Sequence, residues 1–196
     1  LRKSLPDVEI IWRIADFETL ARDMREGRIN LALTYDLGLD SGFTRMALAE
    51  VVPYAFLSVD HPLALSPSAT LADMASEPLI LFEEMLSNRH ALQLFRSQGL
   101  SPTVAHRVRS LEIMRSLAAN GEGVGISYAF PPGDRSYDGA QLRAIPILDP
   151  VAREPIILAQ AGGVPPVPVV SAASAIIVSM FQREERSSAE QGGSSG

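Results

Sequence analysis

The chain has 196 residues, 46% of them hydrophobic and 20% charged, with a formal net charge of −6 and no cysteine. That length allows one large domain or two small ones with a real core, and the lack of cysteine excludes disulfide frameworks and thiolate metal sites. The acidic balance argues against a nucleic-acid-binding surface, which needs clustered Lys and Arg to displace counterions.

The opening LRKSLPDVEI lacks the apolar run of a secretory signal, and no stretch is apolar over a membrane-spanning length. A soluble, cytoplasmic protein with no membrane partner is expected. Leu1–Leu5 reads as the tail of a helix that Pro6 ends. Val8, Ile10, Trp12 and Ile14 then share one face of an alternating segment, with Glu9 and Arg13 on the other, which predicts a strand over Val8–Ile14. Asp16 is placed to cap a helix whose Phe17, Leu20, Ala21 and Met24 recur at helical spacing until Gly27 stops it. Ile29–Tyr35 is a short, nearly continuous apolar run, as for a strand buried on both faces. Strand, helix and strand with short links predict a βαβ unit, a parallel pair and an α/β fold.

Two extended segments follow in Phe43–Val59, and Asp60-His61-Pro62 punctuates the chain after them. A short helix from Thr70 or Leu71 to Ala75 precedes a strand at Leu79–Phe82. Ser87 is placed to cap a second amphipathic helix, with Leu92, Leu94 and Phe95 on its apolar side and Gly99 at its end. Val104–Val108 reads as a strand. In RSLEIMRSLAANGEGVGISYAF, Ser110 is a good N-cap, Leu111, Met114, Leu117 and Ala118 form a stripe, Asn120-Gly121 ends the helix, and Val124, Ile126 and Tyr128 continue as a strand. Leu142–Ile147 and Pro155–Gln160 read as strands, and Gly162–Pro168 as a proline-rich connector. Ser171–Phe181 reads as a final helix burying Ala173, Ile176, Ile177 and Met180. The tail from Arg183 is charged and then Gly/Ser-rich, which predicts disorder. Two βα-rich blocks of this kind suit a two-lobed protein with a cleft.

Catalytic chemistry is hard to assemble from these residues. Gly121, Gly123 and Gly125 close a helix and open a strand, whereas a phosphate-cradling loop leaves a strand and opens a helix; the alternative is a tight helix-to-strand turn. His61, His90 and His106 are too scattered for a zinc site, and Ser127 lies in a strand rather than on a strand-to-helix elbow. Glu83-Glu84 can be read as an acid/base pair or as two solvated carboxylates. No metal, cofactor or catalytic set is expected. What remains is a series of polar groups at strand ends and helix starts, Asp16, Thr34, Ser87 and Ser110. Each can be a simple cap, but ligands of open α/β sheets bind beyond the carboxyl ends of strands, and the group as a whole favours a pocket. Helix N-termini there would favour a carboxylate or a phosphate. An inward-pointing Asp16 carboxylate would instead favour an ammonium group, and Arg89 could restore the preference for an anion.

PDVEIIWRIADFETLARDMREGRINLALTYDLGL, YAFLSVDHPLA, LADMASEPLILFE and RSLEIMRSLAANGEGVGISYAF, in that order, resemble the effector-binding part of LysR-type transcriptional regulators, from about Leu1 to Phe181. The resemblance implies a type 2 periplasmic-binding-protein fold, with two Rossmann-like α/β lobes joined by two crossover strands. By that likeness Leu1–Leu57 with Ala161–Arg186 would form the first lobe, Ser58–Gln160 the second, and residues 187–196 a disordered tail. It implies a small-molecule effector in the cleft, a homodimer or higher homo-oligomer, no enzymatic activity, and contact with DNA only through a helix-turn-helix that precedes this part. A solute-binding protein of a transporter is the alternative on the same fold. Family positions that line the cleft correspond to Asp16 and Phe17, Thr34 and Tyr35, Phe82, Glu83, Ser87 and Asn88, Ser110 and Leu111, and Gly125, Ile126 and Ser127. The family's first strand and most of its first helix have no counterpart in these residues. The strand at Val8–Ile14 should therefore lack its usual neighbour.

Overall fold

The computed structural model describes residues 1–130, 132–163 and 165–192, the side chains of residues 85, 86 and 184–192 excepted. In chain order the elements are α1 (Phe17–Arg25), β1 (Ala32–Tyr35), β2 (Phe43–Val51), β3 (Tyr54–Ser58), α2 (Leu71–Ala75), β4 (Pro78–Phe82) and α3 (Met85–Ser97). They continue as β5 (Thr103–Val108), α4 (Leu111–Ala119), β6 (Val124–Ser127), β7 (Leu142–Pro146), β8 (Glu154–Ala161) and α5 (Pro168–Gly192). Two compact units divide the chain, Leu1–Glu50 with Pro155–Gly196 and Val51–Glu154. The expected lobe boundaries lay several residues later, at Leu57 and Gln160. Pairing explains the difference, because β3 belongs to the second sheet while β2 and β8 belong to the first.

The second unit carries a five-stranded sheet in the order β5-β4-β6-β3-β7. β4 runs parallel to β5 and to β6, as the helices between them require, while β3 is antiparallel to β6 and β7. Strand periodicity splits the core in two. Leu57, Leu79 and Leu81 pack on one side with Leu71, Met74 and Phe95 of α2 and α3. Phe56 and Ile80 point the other way, against Met114 and Ala118 of α4. β4 is thus covered on both faces, which is why its sequence is an unbroken apolar run.

In the first unit the sheet order is β1-β8-β2, and β1 is antiparallel to β8 with Ala32 opposite Ala159 and Tyr35 opposite Ile156. Ala21 and Met24 of α1 pack on Ala32, Leu39, Phe43, Ile157 and Ala159. Three expectations fail here. Val8–Ile14 is not a strand, so the parallel pair expected between it and β1 does not form; Ile11, Trp12 and Ile14 are 74%, 67% and 104% exposed. An alternating pattern provides an apolar face, but a strand also needs a neighbour to take its backbone N–H and C=O groups, and none among the described residues does. The second failure is the tail. α5 runs to Gly192, so residues 187–192 are helical rather than disordered, and 193–196 lie outside the described residues. Arg, Glu, Ala and Gln are good helix formers, and extending an existing helix avoids the cost of nucleating one. The third is the face of α5: Ala173, Ile176 and Ile177 are only half-buried and Met180 is exposed.

Candidate functional site

Three parallel strands of the second unit end together. Phe82 lies opposite Val108, and Ile80 opposite Gly125, so the carboxyl ends of β4, β5 and β6 finish at one edge of the sheet. α3 and α4 start from that edge. Phe82, Glu83, Ser87, Asn88, Ser110, Leu111, Gly125, Ile126 and Ser127 are therefore neighbours in this unit, while Asp16, Phe17, Thr34 and Tyr35 belong to the other.

Ser110 has extended backbone and its hydroxyl accepts from Ile113 N–H at 3.2 Å, as a cap should, while donating to the Glu112 carboxylate at 2.8 Å. Ser87 is not a cap. α3 starts two residues earlier, with Glu84 at the N-cap position, and the Ser87 hydroxyl donates to Glu84 at 2.9 Å. Apolar Met85 and Leu86 hide that start from a reading that looks for a hydroxyl. Asn88 donates its side-chain amide to Phe82 C=O at 3.0 Å and so fixes the first turn of α3 to the end of β4. Phe82 and Leu111 are half-buried against the α4 side of the core.

Glu83 accepts from both Nε and Nη2 of Arg109, at 2.6 and 3.2 Å, and that hydrogen-bonded guanidinium holds its carboxyl below the usual range. Glu83 is thus an ion-paired group rather than half of an acid/base pair. Gly125, Ile126 and Ser127 are buried within β6. A Cβ at Gly125 would lie 2.6 Å from Met114 Cγ, and one at Gly123 would lie 2.4 Å from Pro78 C=O. These glycines allow close packing and a turn; they do not cradle a phosphate.

In the first unit Asp16 caps α1 with both oxygens, accepting from Thr19 N–H at 2.8 Å and from the Thr19 hydroxyl at 2.9 Å. The bond from Thr19 N–H is the main reason its carboxyl titrates low. Phe17 is half-buried against the core of this unit. Thr34 and Tyr35 end β1 opposite Ile157 and Ile156, and burial pushes the Tyr35 phenol up.

Sequence reasoning missed several groups at the second unit's edge. Tyr54 lies opposite Ser127 and stacks on Phe130 with ring centroids 4.3 Å apart. Arg115 is buried on α4, donating to the carbonyls of Gly133 and Arg135 and lying over the Phe56 ring. The aromatic pair could have been sought at a strand start; the arginine breaks the expected polarity of a helix stripe and gives no such signal. A cavity of about 540 Å³ lies elsewhere, on the outer side of α4 between Glu112, Ser116, Asn120, Tyr137 and Asp138, and contains none of the expected site residues. Among the described residues no cluster of three or more His, Asp or Glu is placed to hold a metal, and no helix is long and apolar enough to cross a membrane.

The chain matches the model of the LysR substrate binding domain over residues 1–180. It is 30% identical over 168 residues to the HTH-type transcriptional regulator CatR of Pseudomonas putida, covering 83% of this chain and 57% of CatR. The chain spans about half the length of the curated relatives it matches. Its fold superimposes on the C-terminal domain of a probable LysR family regulator from Rhodococcus sp. RHA1 with a TM-score of 0.79, at 26% identity, over 87% of this chain and 84% of that one. The BenM effector-binding domain, solved with its effector benzoate, gives a TM-score of 0.80 at 22% identity, covering 94% and 83% of the two chains; BenM is a regulator of Acinetobacter baylyi. The fold is thus the type 2 periplasmic-binding-like α/β fold of such domains, and the chain belongs to the LysR substrate-binding-domain family, the effector-binding part of LysR-type transcriptional regulators.

Proposed function

We propose that this chain senses a small anionic metabolite, a carboxylate first of all, on behalf of a cytoplasmic transcriptional regulator that acts as a homo-oligomer. The observation that carries the reading is the convergence of two helix N-termini and three strand ends on one edge of the second sheet. Each helix start carries a partial positive charge of roughly half an elementary charge, which favours an anion. The neutralised Glu83–Arg109 pair adds no net charge to that edge. Asp16, whose carboxylate would favour an ammonium group, is spent on capping α1. The benzoate bound by BenM, a relative on this fold, is itself a carboxylate.

In this reading Phe82, Ser87, Asn88, Ser110, Leu111 and Gly125–Ser127 are the candidate effector contacts of the second unit, and Asp16, Phe17, Thr34 and Tyr35 are those of the first. Effector binding favours one conformational state of the chain by population shift. DNA is bound through a helix-turn-helix preceding this part, and the acidic chain itself does not bind duplex. That the named relatives are transcriptional regulators supports a sensor over a transporter component.

The test is a thermal-shift series with small carboxylates, benzoate first, matched against the corresponding amines. A carboxylate at a hundred times its Kd should stabilise the parent by about 2.7 kcal/mol, a Tm rise on the order of 5–10 °C. Ser110→Ala and Thr34→Val should each reduce that rise relative to their own ligand-free Tm. A response to amines alone overturns the charge assignment, and full responses from both variants overturn the residue assignment.

A further inference from the structure

Three elements of the second unit meet at one imidazole. His90, on the second turn of α3, places Nε2 3.3 Å from the Tyr128 hydroxyl and 3.3 Å from Glu154 Oε2. Tyr128 directly follows β6 and donates its own proton to Ala152 C=O at 2.8 Å. Glu154 is buried and opens β8, the strand that carries the chain out of this unit. One path of polar contacts therefore runs from α3 and the exit of β6 to residues 152–154.

We propose that His90 is a positioning residue which, with Tyr128, ties the carboxyl edge of the second sheet to the entry of β8, so that a displacement of α3 or of the β6 exit is passed to the crossover strand. Its part in the effector response rests on the site proposed above; the tie itself does not. A buried carboxylate needs donors, and an ionised one can only accept, so the neutral ring carries its proton on Nε2. Arg89 and Arg153, the neighbours of His90 and Glu154 in sequence, are exposed. The titratable groups that face the ring are Tyr128 from the β6 side and Glu154 from β8. Burial lowers the imidazole's pKa, and the Glu154 carboxylate 3.3 Å from Nε2 pulls the other way.

Amide hydrogen exchange on the ligand-free chain tests this, following residues 150–158 with residues 78–82 of β4 as the control. His90→Ala and Tyr128→Phe should each raise exchange at 150–158 by about tenfold or more and leave β4 unchanged. His90→Gln keeps an amide donor without a titrating ring and should retain the parent's protection. Unchanged exchange in His90→Ala overturns the proposal. So does a loss shared equally by β4, which would mean a merely structural role, and so does a glutamine variant that is as loose as the alanine one. Because no effector is present, failure to find one leaves this result standing.

Discussion

The two units bury apolar residues by the same rules and reach different ends. In the second, β4 has partners on both edges and helices over both faces, and Phe56, Leu57, Leu79, Ile80 and Met114 are fully buried. In the first, a three-stranded sheet supports one smaller core, and the best alternating segment of the chain, Val8–Ile14, lies exposed without a strand partner among the described residues. The difference teaches that a period of two specifies which side chains share a face and leaves open which strand satisfies the backbone. Local pattern and tertiary partner are separate requirements.

The sharpest way to break the comparison is to remove one fully buried side chain from each unit. Phe56→Ala takes away a ring that clusters with Ile80 and Met114 and lies beneath the Arg115 guanidinium. It should cost about 3–5 kcal/mol in urea denaturation. Met24→Ala, in the smaller core that can collapse more readily, should fall nearer about 2 kcal/mol. If Met24 proves the costlier deletion, the first unit is the better packed and the comparison reverses.

Legibility follows the same line. In the second unit the N-cap at Ser110, the strand at Val104–Val108 and the stripe through Met114 and Ala118 were readable, because each depends on residues a few positions apart. Asp16 capping α1 was readable in the first unit for the same reason. The α3 start was not: Glu84 takes the N-cap position without making a side-chain cap bond, so the hydroxyl of Ser87 marks the cap three residues late. The edge groups at Arg109, His90 and Tyr128 depend on partners such as Glu83 and Glu154, 26 and 64 residues from Arg109 and His90, and no spacing rule connects them. In the opposite direction, the tail failed because composition suggested disorder while attachment to α5 allowed helix.

A matched pair of caps sharpens the comparison at smaller scale. Asp16→Ala and Ser110→Ala each remove the acceptor for one otherwise free amide and should cost about 1 kcal/mol. Acid separates them. Asp16 titrates below its ordinary value of 3.8, so its contribution is present above that pH and disappears as pH falls through the lower folded value. The serine cap bond does not titrate, although the Ser110 hydroxyl also helps hold the Glu112 carboxyl low, so melting the two variants and the parent from pH 7 down to about pH 2 should show the Asp16 penalty vanishing and the Ser110 penalty only partly reduced. Asp138 provides a control in the second unit: hydrogen bonds from Ser136, Asn120 and Ser116 hold it at about 2. Its contribution should survive to lower pH than an ordinary aspartate's, and Asp138→Asn should remove that part of the acid transition.

The smallest effect is expected where the sequence pattern was strongest. Trp12 is the chain's one tryptophan, and it is exposed in the described structure. Only a light tether is visible nearby, Arg13 lying 3.6 Å from Asp23, which Arg28 binds more closely at 2.6 Å. A side chain that excludes little water on folding contributes little, so Trp12→Ala should change stability by no more than about 0.5 kcal/mol. The emission of the parent should resemble that of tryptophan free in water, and it should not change when urea unfolds the chain. Phe56→Ala gives the contrast, since the two aromatic residues differ far more in burial than in apolar area. A blue-shifted Trp12 emission in dilute protein, or a Trp12→Ala cost near that of Phe56→Ala, would mean that Val8–Ile14 has found a strand partner in solution. If the blue shift grows with protein concentration, that partner is a second copy, as open backbone groups beside an apolar face would favour. If it is independent of concentration, the segment has folded back onto its own unit, and the difference between the two units narrows accordingly.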